Sequence, residues 1–138
     1  MAHTNSPLRY PGGKSALSSY LAEVIKLNGV EGGTYIEPYV GGGGAALNLL
    51  FKGVVGNIVI NDYDPVIHAF WRSVLDNTHE FTQRIKEVPL NIEEWYKQKN
   101  ILIRYQKYSL FDVGFAAFYL NRCNHSGISF RSVRLAVF

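Results

Sequence analysis

The sequence predicts an α/β fold in which a partial parallel sheet is followed by an all-helical segment. Two observations carry this prediction. Residues 15–75 alternate as helix, strand, helix, strand and helix, which is the order of a doubly wound parallel sheet. From Asn77 onward the strand patterns stop and three helical patterns follow. We therefore expect three regions, 1–75, 76–128 and 129–138, with a boundary near Asp76 and no strong pattern in the last region.

The elements of the first region follow from local patterns. Ser15–Leu27 spaces its apolar residues as one face of a helix, and Asn28-Gly29 can end that helix in a left-handed cap. Thr34–Pro38 is rich in β-branched and aromatic residues and predicts a strand. Ala45–Phe51 has good helix propensity. The first region therefore opens as a helix, a strand and a second helix.

A second strand and a third helix complete that region. Asn57–Asn61 is nearly continuously apolar, which is typical of a strand buried on both faces of a parallel sheet. Asp64 and Pro65 then fit the N-cap and first turn of a helix that runs to Leu75.

The second region is predicted to be helical throughout. Helical patterns cover Thr78–Lys86, Glu93–Tyr108 and Asp112–Arg122. Asn91 followed by Glu94 resembles a capping box at the start of the second of these helices. The third is apolar nearly all round, so we expect it to be buried.

Composition excludes several classes of protein. The 138 residues are 47% hydrophobic and 18% charged, which indicates a globular chain. The single cysteine, Cys123, excludes a disulfide framework and a Cys-rich zinc site. No apolar run approaches the roughly 20 residues of a membrane span. Met1–Lys14 is polar and Gly-rich, unlike a signal peptide, so we expect a cytoplasmic protein.

The charge is unevenly distributed. Residues 1–96 hold seven Lys/Arg against ten Asp/Glu, whereas residues 97–138 hold seven against one acid, Asp112. Aromatic residues are interleaved with these basic ones, a combination that suits a polyanion such as nucleic acid. The alternative is solubility charge on helical faces.

A glycine-rich turn is the strongest local signal. In Tyr35–Ala46, a strand leads through four glycines into a helix, and the spacing Gly41-x-Gly43-x-x-Ala46 fits a nucleotide-binding turn. Asp62 lies 19 residues after Gly43, at the end of the next strand, where an acid can accept hydrogen bonds from both hydroxyls of a ribose. The alternative is a flexible loop with Asp62 as a turn former.

The spacing leaves the ligand open between NAD and S-adenosylmethionine, since both carry an adenosine ribose. Glu37, just before the glycines, would repel a pyrophosphate but attract an ammonium or sulfonium group, which favours S-adenosylmethionine. The alternative for Glu37 is an ordinary carboxylate at a strand end.

Arg9–Ser15 resembles the end of a P-loop, but Leu8 stands where that motif needs glycine and no strand precedes it. What remains is a tight turn with Lys14 at a helix N-terminus, which is an unfavourable place for a cation without a compensating partner. That partner could be the carboxylate of the cofactor's methionine moiety. The alternative is a solvated lysine.

Four segments together resemble the Dam-like adenine-specific DNA methyltransferases: LRYPGGK at 8–14, YIEPYVGGGG at 35–44, VIND at 59–62 and FYLNRCNHSG at 118–127. The resemblance spans roughly residues 7–128 in the right order. It implies a partial Rossmann-like sheet of the class I methyltransferase type, S-adenosylmethionine as cofactor, double-stranded DNA as substrate, and methylation of N6 of a flipped-out adenine. Restriction-modification is among the roles it implies.

The resemblance also implies site residues. For the cofactor these are Tyr10, Pro11, Gly12, Gly13, Lys14, Glu37, Pro38, Tyr39, Gly41, Gly43 and Asp62. For DNA they are Arg9, which flanks the first turn, and Asn121, Arg122, Asn124 and Ser126 at the start of the recognition segment.

The sequence departs from the family pattern in two respects. The catalytic motif, an Asp, Asn or Ser followed by Pro-Pro and an aromatic residue, is absent; Asp64-Pro65-Val66-Ile67 lacks the second proline and the aromatic. Residues 129–138 also look unlike the family. We therefore expect a truncated methyltransferase that is inactive alone, with a non-catalytic binding remnant or an NAD-dependent oxidoreductase fragment as alternatives. A sheet of two strands further predicts self-association or complementation by another chain.

Overall fold

The computed structural model describes residues 5–124. The chain forms a mixed helix and strand structure that divides into two compact units, Met1–Tyr63 and Asp64–Phe138. The first holds α1 (Ser18–Leu27), β1 (Thr34–Glu37), α2 (Gly44–Phe51) and β2 (Asn57–Ile60). The second holds α3 (Pro65–Asp76), α4 (Thr78–Glu87), α5 (Ile92–Ile103) and α6 (Leu110–Cys123). Short 3-10 turns at Lys14–Leu17 and Tyr105–Lys107 precede α1 and α6.

The strands form a two-stranded parallel sheet, as the sequence predicts. Their register pairs Ile36 with Val59 and Glu37 with Ile60. Helix α2 connects the strands and packs against both. Because the strands are parallel, the carboxyl ends of both lie at the same edge of the sheet. The residues that follow β1 and β2 are therefore neighbours in space.

Helix α1 ends where the sequence predicts. Gly29 adopts a left-handed φ of 64°, and its N–H donates to the Lys26 carbonyl at 3.0 Å. The Val30 N–H donates to the Ile25 carbonyl at 3.2 Å. These two bonds form a Schellman motif, which satisfies carbonyls that a helix end otherwise leaves without partners.

The prediction that β2 is buried on both faces of the sheet is wrong. Ile36 and Val59, paired across the sheet, are 65% and 51% exposed. Their neighbours Tyr35 and Ile58, which point to the opposite face, are half-buried. A continuous apolar run allows a strand to be buried on both faces, but burial also requires neighbouring elements that pack against both faces.

In the second unit, α6 is the central helix. It packs extensively against α3 and α5, and Phe115 and Leu120 on α6 are fully buried, as its apolar sequence predicts. A cluster of aromatic rings fills the space between the helices. Its members are Phe70, Phe81, Phe111, Phe115 and Phe118, with neighbouring ring centroids 5.5–6.4 Å apart.

Helix α3 belongs with the later helices because it packs on α6. The compact units accordingly divide after Tyr63, whereas the sequence places the domain boundary near Asp76. The assignment of functional domains to 1–75, 76–128 and 129–138 stays a prediction, and residues 125–138 lie outside the described part of the chain.

Side-chain caps fix the starts of α3 and α5. The Asp64 carboxylate accepts from the Val66 N–H at 2.9 Å, and Pro65 occupies the first turn of α3. The Asn91 side chain accepts from the Glu94 N–H at 2.8 Å, which confirms a cap at the start of α5. The predicted continuation of this helix to Tyr108 is wrong, since α5 ends at Ile103 and a 3-10 turn follows.

Stability of the second unit is expected to fall in acid because of Asp112. Partial burial alone would raise the pKa of this carboxyl, but hydrogen bonds from Ser109 and Arg84 and the charges of Arg84 and Lys97 outweigh it and hold the pKa below its usual 3.8. A lowered pKa contributes stability above the ordinary value, which is lost as pH falls through the folded value.

We expect Asp112→Asn to lose about 0.5–1 kcal/mol at pH 7, since the ion pair to Arg84 is about one-third exposed. The difference from the unmodified chain should shrink as pH falls below about 4. Chemical denaturation at pH 7 and at pH 3 measures both values. An equal difference at the two pH values would contradict this assignment.

Candidate functional site

The residues after β1 and β2 meet at one edge of the sheet. The Asp62 carboxylate, through Oδ2, accepts from the Gly41 backbone N–H at 2.8 Å. A second bond, from the Val40 N–H to the Asn61 carbonyl at 2.9 Å, joins the same two segments. The structure thus brings together the glycine turn and the acid that the spacing places beside it.

The glycine turn is compact and buried. Gly41 and Gly43 have φ of 50° and 70°, a left-handed conformation that side chains with a Cβ rarely adopt. The Gly43 N–H donates to the Val40 carbonyl at 2.8 Å, and α2 begins at the next residue. The turn therefore leads directly into the N-terminus of α2, where backbone N–H groups can bind a ligand.

Lys14 and Glu37 form an ion pair. Lys14 Nζ lies 2.9 Å from Glu37 Oε1 and also donates to the Tyr39 carbonyl at 2.6 Å. Glu37 is 3% exposed, and its other oxygen accepts from the Ala46 N–H in the first turn of α2 at 3.2 Å. Lys14 has the compensating partner that its place at a helix start requires, but that partner is a side chain of this protein.

The segment before Lys14 lies over the glycine turn. The Gly13 N–H donates to the Tyr10 carbonyl at 3.1 Å, and Pro11 and Gly12, with a φ of 73°, occupy the middle of this turn as in type II turns. A Cβ at Gly41 would lie 2.8 Å from the Tyr10 ring. The two turns are therefore in contact, and a side chain at Gly41 would require both a shift of the Tyr10 ring and a strained left-handed φ.

The remaining candidates of the first unit lie at the surface of the same turns. Arg9, Pro38 and Tyr39 are exposed, and Tyr39 is 69% exposed. All the predicted cofactor residues thus cluster around the carboxyl ends of β1 and β2.

Partial burial and the negative charge of Glu37 raise the pKa of Tyr35.

Sequence reasoning missed Ser6. Its hydroxyl oxygen lies within hydrogen-bonding distance of the Gly42 and Leu8 carbonyl oxygens, which places the segment before the first turn against the glycine turn. A Cβ at Gly42 would lie 2.8 Å from this hydroxyl. No local motif marks such a residue, because its partner is 36 positions away.

The DNA candidates of the second unit differ in accessibility. Asn121 is 2% exposed, whereas Arg122 is exposed and its guanidinium carbon lies 5.7 Å from the Phe118 ring centroid. Asn124 is half-buried and accepts from the Trp95 indole N–H at 2.9 Å. Partial burial raises the pKa of the Cys123 thiol, as expected for an inert residue. Ser126 lies outside the described residues.

Neither a metal site nor a membrane-spanning helix is found within residues 5–124. No group of three or more His, Cys, Asp or Glu side chains in that range could hold a metal ion. None of the helices described there is both long and apolar enough to cross a membrane.

Comparison with known proteins now adds to this geometry. A search of curated proteins finds no match. A family model described as D12 class N6 adenine-specific DNA methyltransferase matches residues 10–131, which is most of the chain and includes both turns and Asp62. The chain therefore belongs to the D12 class of N6 adenine-specific DNA methyltransferases.

Proposed function

We propose that this chain binds S-adenosylmethionine at the glycine turn of a partial Rossmann-like domain and serves methylation of adenine N6 in DNA. Adenine methyltransferases of this family generally depend on that cofactor, and their substrate is DNA. The observation that carries the proposal is the 2.8 Å hydrogen bond between the Gly41 N–H and Asp62. It joins a backbone turn suited to an adenosine moiety to an acid suited to its ribose.

The side chains present fit this cofactor. A carboxylate can accept about four hydrogen bonds, so the bond from Gly41 is compatible with ribose hydroxyls on the same Asp62. Glu37 offers a negative charge to an ammonium group, and Lys14 offers a positive charge to a carboxylate. When bound, S-adenosylmethionine supplies an electrophilic methyl group on its sulfonium.

A role in DNA binding is proposed for Arg9, Asn121, Arg122, Asn124 and Ser126. Arg9 and Arg122 are exposed cations that suit phosphate groups. For Asn121 and Asn124 we propose a positioning role, since the first is buried and the second is held by the Trp95 indole. A cytoplasmic location also stays a prediction from the sequence.

We propose that the 138 residues alone transfer no methyl group. The support is the absence from the sequence of a Pro-Pro-aromatic motif that could hold the target adenine. An assay with tritiated cofactor and adenine-containing duplex DNA tests this, and clear incorporation would overturn it. A truncated enzyme and a non-catalytic binding remnant both predict no incorporation; a downstream Asp-Pro-Pro-Tyr in any reading frame would favour the enzyme.

We further propose that the sheet pairs with another chain, or with a second copy of this one. Ile36 and Val59 form an exposed apolar pair on one sheet face, and a two-stranded sheet alone is marginally stable in water. Sedimentation velocity measures such association, and a stable compact monomer would contradict it.

Calorimetric titration tests the cofactor proposal. We expect heat of binding with S-adenosylmethionine and none with NAD, because Lys14 is paired with Glu37 and the pair therefore offers no net positive charge to a pyrophosphate. Binding of NAD in preference would instead support the oxidoreductase alternative. Adenosine serves as a matched control, because it carries the ribose without either charged moiety.

A further inference from the structure

We infer that Lys14 determines how strongly the site distinguishes a positively charged ligand from a neutral one. Its positive charge reduces the preference for the sulfonium cofactor over the neutral thioether that remains after the methyl group is lost. This inference rests on the proposed function, because it concerns the same site. It goes beyond binding by naming the residue that governs how strongly the product competes with the cofactor.

The contacts of Glu37 make its charge important. The carboxylate is buried beneath the glycine turn, where a negative charge is poorly hydrated and interacts strongly with other charges. Its Oε2 accepts the Ala46 N–H at 3.2 Å, and its Oε1 lies 2.9 Å from Lys14 Nζ. Lys14 is therefore the cation in direct contact with this buried charge.

Lys14 is held in place by two contacts. Besides the ion pair, it donates to the Tyr39 carbonyl at 2.6 Å, two residues before Gly41. Its side chain is 37% exposed, whereas that of Glu37 is 4% exposed. The ammonium thus lies between the buried carboxylate and solvent, and it offsets the negative charge that an entering ligand would meet.

The two ligands differ by one methyl group and one positive charge. Both carry the same ribose for Asp62 and the same carboxylate that Lys14 could bind. Any loss of those shared contacts cancels in the ratio of the two affinities. The change in this ratio among variants therefore reports the charge of the Lys14–Glu37 pair, which is near zero for the intact pair and negative for Glu37 without Lys14.

Four variants of the full chain, titrated calorimetrically with S-adenosylmethionine and S-adenosylhomocysteine, test this inference. Lys14→Met should raise the preference for the charged ligand about tenfold, by Coulomb's law at the effective dielectric of a partly buried site. Glu37→Gln should lower it. Lys14→Arg and the double variant Lys14→Met/Glu37→Gln both leave the pair without net charge, so their ratios should stay near that of the unmodified chain.

The outcomes separate the inference from the proposed function. If the unmodified chain binds neither ligand, the proposed function fails. If it binds both and the ratio of the two affinities is the same in all variants, the inference about Lys14 is overturned while the proposed cofactor site stands. Thermal unfolding identifies variants that do not fold, and Lys14→Met against Lys14→Arg remains decisive because neither alters the buried Glu37.

Discussion

Replacement of Asp62 by alanine is expected to lower the affinity for S-adenosylmethionine by roughly 10- to 150-fold. Loss of one hydrogen bond to a charged group corresponds to about 1.5–3 kcal/mol, which converts to that range of affinity. The same carboxylate accepts the Gly41 N–H at 2.8 Å, so its removal also frees the backbone of the glycine turn. Both effects weaken binding, and calorimetric titration measures their sum.

Two controls separate these effects. Asp62→Asn keeps an acceptor for Gly41 but removes the charge, so it should lose less affinity than alanine. Asp64→Asn changes an acid two positions later in the chain, which caps α3 through the Val66 N–H, and it should leave the affinity unchanged. Equal affinities of the Asp62→Ala variant and the unmodified chain would remove Asp62 from the binding site.

The architecture around Asp62 is largely predictable from the sequence. The order of helices and strands, the left-handed cap at Gly29 and the N-cap at Asp64 are all confirmed, because each depends on residues close together in the chain. The meeting of Gly41 and Asp62 is also predictable, since parallel strands bring their carboxyl ends to one edge. Each of these inferences needs only local pattern and strand direction.

The contacts that the sequence did not predict involve distant residues. The sequence predicts that Lys14 and Glu37 each face a ligand, but the structure pairs them with each other. A signal was present, because opposite charges assigned to one small site are expected to attract.

The exposure of helix α1 is also not predictable from the sequence. Tyr20 lies on the apolar stripe of this helix, yet its side chain is 67% exposed. Periodicity shows which face a helix could bury, but it does not show which element covers that face.

Substitution of Gly114 by valine is expected to destabilise the second unit by about 3 kcal/mol. Gly114 lies where α6 crosses α3, and a Cβ there would collide with the Ala69 carbonyl and the Ser73 hydroxyl. Backbone atoms cannot move aside as a flexible side chain can, so the helices must separate. Overpacking of this kind usually costs about 1–3 kcal/mol, and valine adds two further methyl groups to the collision.

Smaller changes at the same crossing test the reason for this loss. Gly114→Ala in an open helix would stabilise by about 1 kcal/mol through helix propensity, so a destabilised alanine variant would show that the close approach outweighs propensity. Adding Ser73→Ala removes the colliding hydroxyl but leaves the Ala69 carbonyl, so rescue should be partial. Ser73→Ala alone provides the baseline, because that hydroxyl donates to the Ala69 carbonyl at 2.7 Å. Chemical denaturation gives all four stabilities, and a more stable Gly114→Ala variant would mean that α3 and α6 do not approach as closely as this crossing requires.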